Sequence, residues 1–116
     1  MKIKVLFFPV GREPYIREVE NTLKPMQELV KGYIEVFALD RLYGSQFESG
    51  ALAVMNEEGK FTPGIKPNRN VYFRDNLIDT FYGDFFICGG DDEGNFISVT
   101  PEQEDYYRKT FPLEVC

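Results

Sequence analysis

One basic tripeptide in the middle of the chain has the residue types of an anion-binding site. Asn68-Arg69-Asn70 lies in the segment 63–70, whose prolines, glycine and asparagines predict an irregular loop. An arginine flanked by amides can bind a carboxylate or a phosphate through paired hydrogen bonds. The alternative is structural: Arg69 pairs with a carboxylate of the fold, and both asparagines satisfy turn backbone. Asn68, Arg69 and Asn70 are therefore the predicted ligand-binding residues, with the structural role left open.

Two acidic segments could also support chemistry. The acidic run at residues 91–93 has oxygens for Ca²⁺ or Mg²⁺, but it lacks the alternating ligand spacing of an EF-hand loop, and a solvated hairpin turn is preferred. Glu57 and Glu58 could act as general acid and base, but solvated carboxylates in a turn keep ordinary pKa values. We therefore predict no catalytic residue, no metal site and no cofactor.

Paired aromatic residues suggest a possible interaction surface. In a strand, neighbouring side chains point to opposite faces, so a pair either exposes one ring or needs cover on both faces. An exposed aromatic face could bind a protein partner or a second copy of the chain. Stacking on nucleic-acid bases is disfavoured because basic residues are missing around the rings. The pairs are Phe81-Tyr82, Phe85-Phe86 and Tyr106-Tyr107.

The absence of histidine excludes several classes of site. None of the 116 residues is histidine, so a Ser-His-Asp or Cys-His arrangement and an imidazole-ligated metal cannot be built within this chain. Cys88 and Cys116 form no Cys-x-x-Cys motif. They are expected to be reduced thiols, with a disulfide between them as the alternative.

The net charge of −6 comes from one short stretch of the chain. Residues 91–105 hold six acidic residues and no lysine or arginine, while the remainder is balanced. This acidity weighs against nucleic acid and anionic membranes as partners. The sequence also shows no apolar run long enough to span a membrane and no signal peptide. We expect a cytoplasmic protein with a single domain over residues 1–116.

The chemistry-bearing residues require a scaffold, and the residue patterns predict an α+β fold. We expect a mostly antiparallel sheet of five or six strands with two helices, at about 22–31 and 101–111. Thr100 and Gln103 have the spacing of a capping box at the start of the second helix. Gly32 is the expected stop of the first helix. Predicted strands cover residues 3–8, 13–20, 33–39, 51–56, 60–62, 71–73, 81–88 and 96–99.

Turns and loops are expected at two further places. Residues 56–60 read as a hairpin turn in which Gly59 takes a positive φ, followed by a returning strand. Residues 40–50 are polar, contain two glycines and read as a loop.

Several short segments, taken in their order and spacing, carry a family resemblance. They are Glu13-Pro14-Tyr15, the segment 21–35, the turn 56–60, Asn68-Arg69, the segment 82–87 and Thr100-Pro101-Glu102-Gln103. Together they resemble Domain of Unknown Function 3846 over nearly the whole chain. The resemblance implies a cytoplasmic accessory protein of Gram-positive bacteria, their phages or mobile elements, and it supplies no catalytic residue.

The favoured function is a non-catalytic binding or interaction module of a mobile element or phage. Its basis is the missing nucleophile–base pair, phosphate loop and metal cluster, together with the aromatic content. One alternative is a nucleotide- or phosphate-ligand binder that antagonises host defence, which needs a basic pocket near Arg69. Another is a hydrolase that uses carboxylates and Arg69.

Overall fold

A computed structural model describes residues 1–44 and 49–114 of the chain. Within these residues the fold is α+β, with a six-stranded antiparallel sheet, a separate two-stranded sheet and three helices. The elements are β1 (Lys2–Phe8), β2 (Tyr15–Glu20), α1 (Leu23–Val30), β3 (Ile34–Ala38), α2 (Asp40–Tyr43), β4 (Gly50–Asn56), β5 (Pro67–Phe73), β6 (Asn76–Tyr82), β7 (Phe85–Gly90), β8 (Phe96–Ile97) and α3 (Pro101–Thr110). The predicted fold class is confirmed.

Strand β7 lies in the middle of the main sheet because it is apolar on both faces. The strand order is β2-β1-β7-β4-β3, and β8 also pairs with β7. Phe85 and Phe86 point to opposite faces, belong to different core clusters and are both fully buried. At this aromatic pair both faces of the sheet are therefore covered, and no exposed aromatic face forms.

The two faces of the main sheet are covered by different elements. Met26 and Val30 of α1 pack against one face. The other face lies under α3 and the hairpin β5–β6, through Tyr107, Phe111 and Phe81. These buried aliphatic and aromatic side chains supply most of the apolar area removed from water, which is the main stabilising term of folding.

Helix α3 begins as its sequence predicts. The Thr100 hydroxyl accepts a hydrogen bond from the Gln103 N–H at 3.1 Å, and the Gln103 side chain accepts one from the Thr100 N–H at 3.0 Å. The buried Gln103 amide also donates to the carbonyl oxygens of Ser49 and Gly50. The capping box therefore attaches α3 to the start of β4.

Helix α1 ends differently from the prediction. The left-handed residue at its C-terminus is Lys31, with φ 63°, and Gly32 does not have a positive φ. Gly32 is needed for space: a Cβ there would lie 2.6 Å from Nδ2 of Asn56. That Asn56 amide donates to the carbonyl oxygens of Val30 and Lys31, both at 3.1 Å, and so caps the helix end.

The segment between β4 and β7 departs most from the sequence-based expectations. Strand β5 begins at Pro67, so Asn68, Arg69 and Asn70 lie in a strand rather than in the predicted irregular loop. Residues 60–62 form turns and no strand, since β4 already pairs with β3 and β7. Gly59 has no positive φ, and a Cβ there would lie 3.1 Å from the Tyr82 carbonyl oxygen.

Two smaller differences concern short elements. The turn of hairpin β5–β6 is Arg74-Asp75, with φ 51° and 66°, and it lacks the Asn-Gly signal that marks such turns in a sequence. The predicted loop 40–50 begins with the short helix α2 (Asp40–Tyr43).

The cysteine and membrane predictions have separate outcomes. Cys88 is fully buried as a free thiol, and burial raises its pKa to about 12. Cys116 lies outside the described residues. The prediction that it is a reduced thiol, with a disulfide as the alternative, therefore also lies outside them. In residues 1–44 and 49–114, every helix is too short or too polar to cross a lipid bilayer.

Candidate functional site

Arg69, the centre of the predicted ligand-binding tripeptide, is a buried side chain. Only 2% of its surface is exposed, and it lies over the Phe8 ring, with Cζ 5.3 Å from the ring centroid. Its Nε donates to the Phe111 carbonyl oxygen at 3.1 Å, and a terminal nitrogen donates to the Arg12 carbonyl oxygen at 2.7 Å. The other terminal nitrogen donates to the backbone and side-chain oxygens of Asn68. The guanidinium therefore joins three separate chain segments.

The electrostatic environment of Arg69 agrees with a buried, internally bonded cation. Burial lowers the pKa of Arg69, and the nearby Glu13 carboxylate partly offsets this effect. Its hydrogen-bond acceptors are neutral oxygens, so it does not pair with a structural carboxylate as the alternative interpretation expected. A guanidinium in this setting contributes to the fold through hydrogen bonds that are shielded from water.

The two flanking asparagines also have partners within the protein. Asn68 Nδ2 donates to the carbonyl oxygens of Phe8 and Gly83, each at 2.8 Å. Asn70 Nδ2 donates to Oε2 of Glu114 at 2.6 Å. These bonds connect β5 to the end of β1, to the turn before β7 and to the C-terminal segment. Ligand binding by Asn68, Arg69 and Asn70 stays a prediction, and the structure gives all three a structural role.

The acidic run of residues 91–93 is an ordered turn. Asp91 Oδ1 accepts hydrogen bonds from the N–H groups of Asn95 and Glu93, at 2.8 and 3.0 Å. The bonds from Asn95 are the largest cause of the lowered Asp91 pKa, since they favour the charged carboxylate. Over the described part of the chain, no group of three or more His, Cys, Asp and Glu side chains could hold a metal ion.

A cleft of about 310 Å³ lies between the β3–β4 end of the main sheet, the turn 57–62 and strand β6. Its walls combine carboxylates and aromatic rings, a mixture that suits cationic groups. The chemically distinctive lining residues are Glu35, Glu57, Asp79, Phe61, Phe81 and Tyr82. This cleft includes the predicted turn 56–60, and it brings that turn next to strands that are distant in sequence.

The cleft carries unbalanced negative charge. Lys60 forms an ion pair with Asp79 at its rim. Among the described residues, no basic side chain forms an ion pair with Glu35 or Glu57. Phe61, which also lines the cleft, is 84% exposed. The cleft therefore presents two unpaired carboxylates beside an aromatic ring that has little cover.

The turn 57–62 is fixed to the body of the protein by Asn56. The Asn56 side-chain oxygen accepts a hydrogen bond from the Glu58 N–H at 2.8 Å, while its amide caps α1. The Glu57 N–H donates to the Tyr33 carbonyl oxygen at 2.8 Å. Because both anchors are backbone or buried groups, the turn holds Glu57 and Phe61 in a defined position beside the start of β3.

Three exposed apolar side chains line the cleft or a neighbouring groove. A second, shallower groove shares Lys60, Asp79 and Tyr82 with the cleft and extends it to Leu77 and Ile78. Of the ten large hydrophobic residues that are exposed among those described, three line the cleft or the groove, and four more belong to β3, to the residue before it or to the hairpin β5–β6. They are Tyr33, Val36, Phe61, Tyr72, Phe73, Leu77 and Ile78. We call Tyr33, Val36, Phe61, Leu77 and Ile78 the β3-side surface.

A third cavity, of about 230 Å³, is lined by two lysines. Lys31 and Lys66 line it together with Asp84. Lys31 lies 3.7 Å from an Asp84 oxygen, so part of the positive charge is already compensated. The cavity does not include Arg69.

Comparison with known proteins gives a family and no activity. A family model described as Domain of unknown function (DUF3846) matches residues 1–112. The chain belongs to this family. No curated protein and no solved structure matches it. The family resemblance stated from the sequence is thus confirmed for DUF3846, and the DUF3846 match brings no assigned site residue.

Sequence reasoning missed the main features of the DUF3846 cleft. Glu35 was read only as a strand residue, and Phe61 was placed in a strand that does not form. The one available signal was Phe61 itself, an aromatic residue between the turn residues Gly59 and Pro63. Aromatic residues in such polar turns are unusual unless they are buried or engaged in binding.

Proposed function

We propose that this DUF3846 protein is a non-catalytic protein-binding module that engages its partner through the β3-side surface. The observation that carries the proposal is that the exposed side chains of Phe61, Leu77 and Ile78 line one cleft and its adjoining groove on an acidic protein. A contiguous exposed apolar patch costs solubility, and on natural proteins such patches commonly mark interaction sites. An accessory role in a mobile element or phage, which the family resemblance implies, is part of the proposal.

The alternative functions find less support in the same residues. A phosphate or nucleotide site centred on Arg69 would need free guanidinium N–H groups, and these groups donate to protein oxygens. A hydrolase that uses Arg69 with a carboxylate meets the same difficulty, since the arginine would have to leave its buried position. Rearranging a buried guanidinium whose three nitrogens already donate to protein oxygens is costly, so binding through the exposed surface is the better-supported hypothesis.

A capture experiment with matched surface variants tests the proposal. The wild-type protein and the double variant Phe61→Ser/Leu77→Ser are immobilised and exposed to a lysate of the source cells. The matched control is Tyr15→Ser/Leu23→Ser, in which Leu23 is as exposed as Leu77, both at 58%. We expect a protein that is retained by the wild type and the control and lost from the Phe61/Leu77 variant.

Two outcomes would contradict the proposed function. Equal retention of all bound proteins by both double variants would show that the β3-side surface is not the binding site. Retention of no protein by the wild type, under conditions in which its fold is verified by circular dichroism, would remove the evidence for a binding module.

A further inference from the structure

We propose that the open edge of β3 accepts an extended segment of a partner protein as an additional strand, with a lysine or arginine of that segment beside Glu35. The inference rests on the proposed function and specifies the chemistry of the partner. Strand addition of this kind uses backbone hydrogen bonds for affinity and alternate side chains for specificity.

The hydrogen bonds of β3 show which backbone groups face the open edge. Tyr33 accepts from Glu57 at 2.8 Å, and Leu39 donates to Ala51 at 3.0 Å, so both residues bond toward β4. In an antiparallel ladder this direction alternates along the strand. The residues whose N–H and C=O groups face away from β4 are therefore Ile34, Val36 and Ala38.

Edge strands are normally protected against pairing, and β3 has little protection. Natural proteins protect such edges with charged residues, proline, bulges or covering segments. Strand β3 reads Ile-Glu-Val-Phe-Ala and pairs with β4 without a register shift. Glu35 is its only charged residue, and Val36 is 43% exposed. A regular, largely apolar edge of this kind is a template for another strand.

The charge at this edge favours a basic partner. Because the backbone of Glu35 bonds toward β4, an added strand meets it at a non-hydrogen-bonded position, where side chains approach most closely. Glu57 lies in the same cleft as Glu35, and neither has a basic partner among the described residues. A lysine or arginine beside Glu35 would therefore enter a cleft that already contains two unpaired carboxylates and the exposed Phe61 ring.

A second copy of the chain fits the edge less well. Antiparallel self-pairing centred on Val36 sets each Glu35 opposite a Phe37, so neither carboxylate gains a cation. Each copy also brings a net charge of −6. Self-association is therefore an alternative outcome of the test rather than the proposal.

The probe is a peptide selected on the intact protein. A phage-displayed library of random linear peptides is panned against the wild-type chain, and the most enriched sequence is synthesised. We expect enriched sequences in which lysine or arginine alternates with apolar residues over about six positions, the usual length of a strand. Enrichment of no sequence, or of sequences without basic residues, would overturn the inference.

Amide hydrogen exchange, measured by NMR, locates the bound peptide. Saturation with the peptide should slow exchange at Ile34, Val36 and Ala38 by at least about tenfold, because their N–H groups become ladder donors. The corresponding outward amides of the opposite edge strand, Ile16 and Glu18, should not change. Equal protection of both edges, or none at β3, would contradict strand addition.

Two substitutions test the backbone and the charge separately. Val36→Pro removes an outward N–H and no β3–β4 bond, so we expect peptide affinity to fall at least about tenfold. Glu18→Pro is the matched change on β2. If Val36→Pro does not fold, Glu35→Lys keeps the inference testable: it should weaken the basic peptide and favour the same peptide with glutamate at its basic positions, whereas Glu18→Lys should do neither.

The variants distinguish a failure of strand addition at β3 from a failure of the proposed binding function. If the lysate partner is lost from Phe61→Ser/Leu77→Ser but retained by Val36→Pro and Glu35→Lys, the binding function holds and strand addition is wrong. If light scattering shows a dimer whose Ile34, Val36 and Ala38 amides are protected without peptide, a second copy occupies the edge and the basic partner is wrong.

Discussion

The Arg69 cluster, which consists of Asn68, Arg69 and Asn70, and the β3-side surface differ in how residue type relates to solvent exposure. Arg69 is a buried cation, and both Arg69 and its asparagine neighbours bond to groups of the protein. Phe61 and Leu77 are apolar residues that point outward. The residues that look most reactive in the sequence therefore stabilise the fold, and those that look like core residues are available to a partner. Reactivity of a residue type is a weaker guide to function than the partners that the fold provides.

The largest expected loss of stability is at Arg69. Arg69→Met removes the donors to the buried Phe111 carbonyl oxygen and to the partly buried Arg12 carbonyl oxygen, so the free energy of unfolding should fall by about 3–5 kcal/mol. Urea denaturation measures it. Arg69→Lys, which keeps the charge but loses the planar fork, should lose less. A change within about 0.5 kcal/mol for Arg69→Met would show that the cluster is not structural and would restore Arg69 as a ligand-binding candidate.

Asn56 joins the end of α1 to the turn that carries Phe61, and its replacement should affect both stability and binding. Asn56→Ala removes the cap of α1 and the bond to the Glu58 N–H, so we expect a loss of about 1–3 kcal/mol in urea denaturation. Because Asn56 also holds the turn that carries Phe61, capture of the partner should weaken as well. Asn56→Asp keeps the acceptor for Glu58 and serves as the control. Unchanged capture by a destabilised Asn56→Ala would separate the turn from the binding site.

Asp91 is exposed but accepts several hydrogen bonds. Its substitution therefore tests whether hydrogen-bond partners or burial determine the effect of a substitution on stability. Its lowered pKa means that the charged form stabilises the folded state above the unfolded pKa of about 3.9. That contribution disappears as the pH falls through the lower folded-state pKa. Asp91→Asn should therefore lower Tm at pH about 7, and the Tm difference from the wild type should be smaller at pH about 3. A Tm difference that is the same at both pH values would contradict the carboxylate's role.

The smallest effect on stability is expected at Phe61. Phe61→Ser removes a ring that is 84% exposed, so the free energy of unfolding should change by less than about 0.5 kcal/mol. Phe81→Ser, in the same cleft but 2% exposed, should cost about 3–5 kcal/mol. Both values come from urea denaturation. A large decrease in the free energy of unfolding for Phe61→Ser would mean that this ring belongs to the core. The contrast between the two regions would then be wrong.

The sequence predicts the parts of the fold that depend on local signals. The capping box at Thr100 and the strands predicted at residues 3–8 and 13–20 follow from short-range patterns, and all are present. The continuous apolar run of β7 also predicts this central strand. Such features depend on residues that are neighbours along the chain, so pattern reasoning is sufficient for them.

The remaining features depend on contacts between distant segments. Hairpin β5–β6 has an Arg74-Asp75 turn without a turn signal, so Asn68 and Arg69 were placed in a loop instead of a strand. The cleft joins Glu35 to residues more than twenty positions away, and no spacing in the sequence indicates that meeting. Tertiary packing also changes the interpretation of Gly59. Glycine is required there because Tyr82 lies close by, and not because of a positive φ.

The position of β7 has a consequence for the synthesis of the protein. This strand lies between β1 and β4, but it consists of residues 85–90 and so leaves the ribosome after both of them. Leu6 and Phe8 of β1 lack their neighbours on this side until about three quarters of the chain has been made. Translation therefore passes through a period in which β1 can pair with β2 on one edge but has no neighbour on the other. An open apolar strand edge of this kind is prone to aggregation until the central strand has been made.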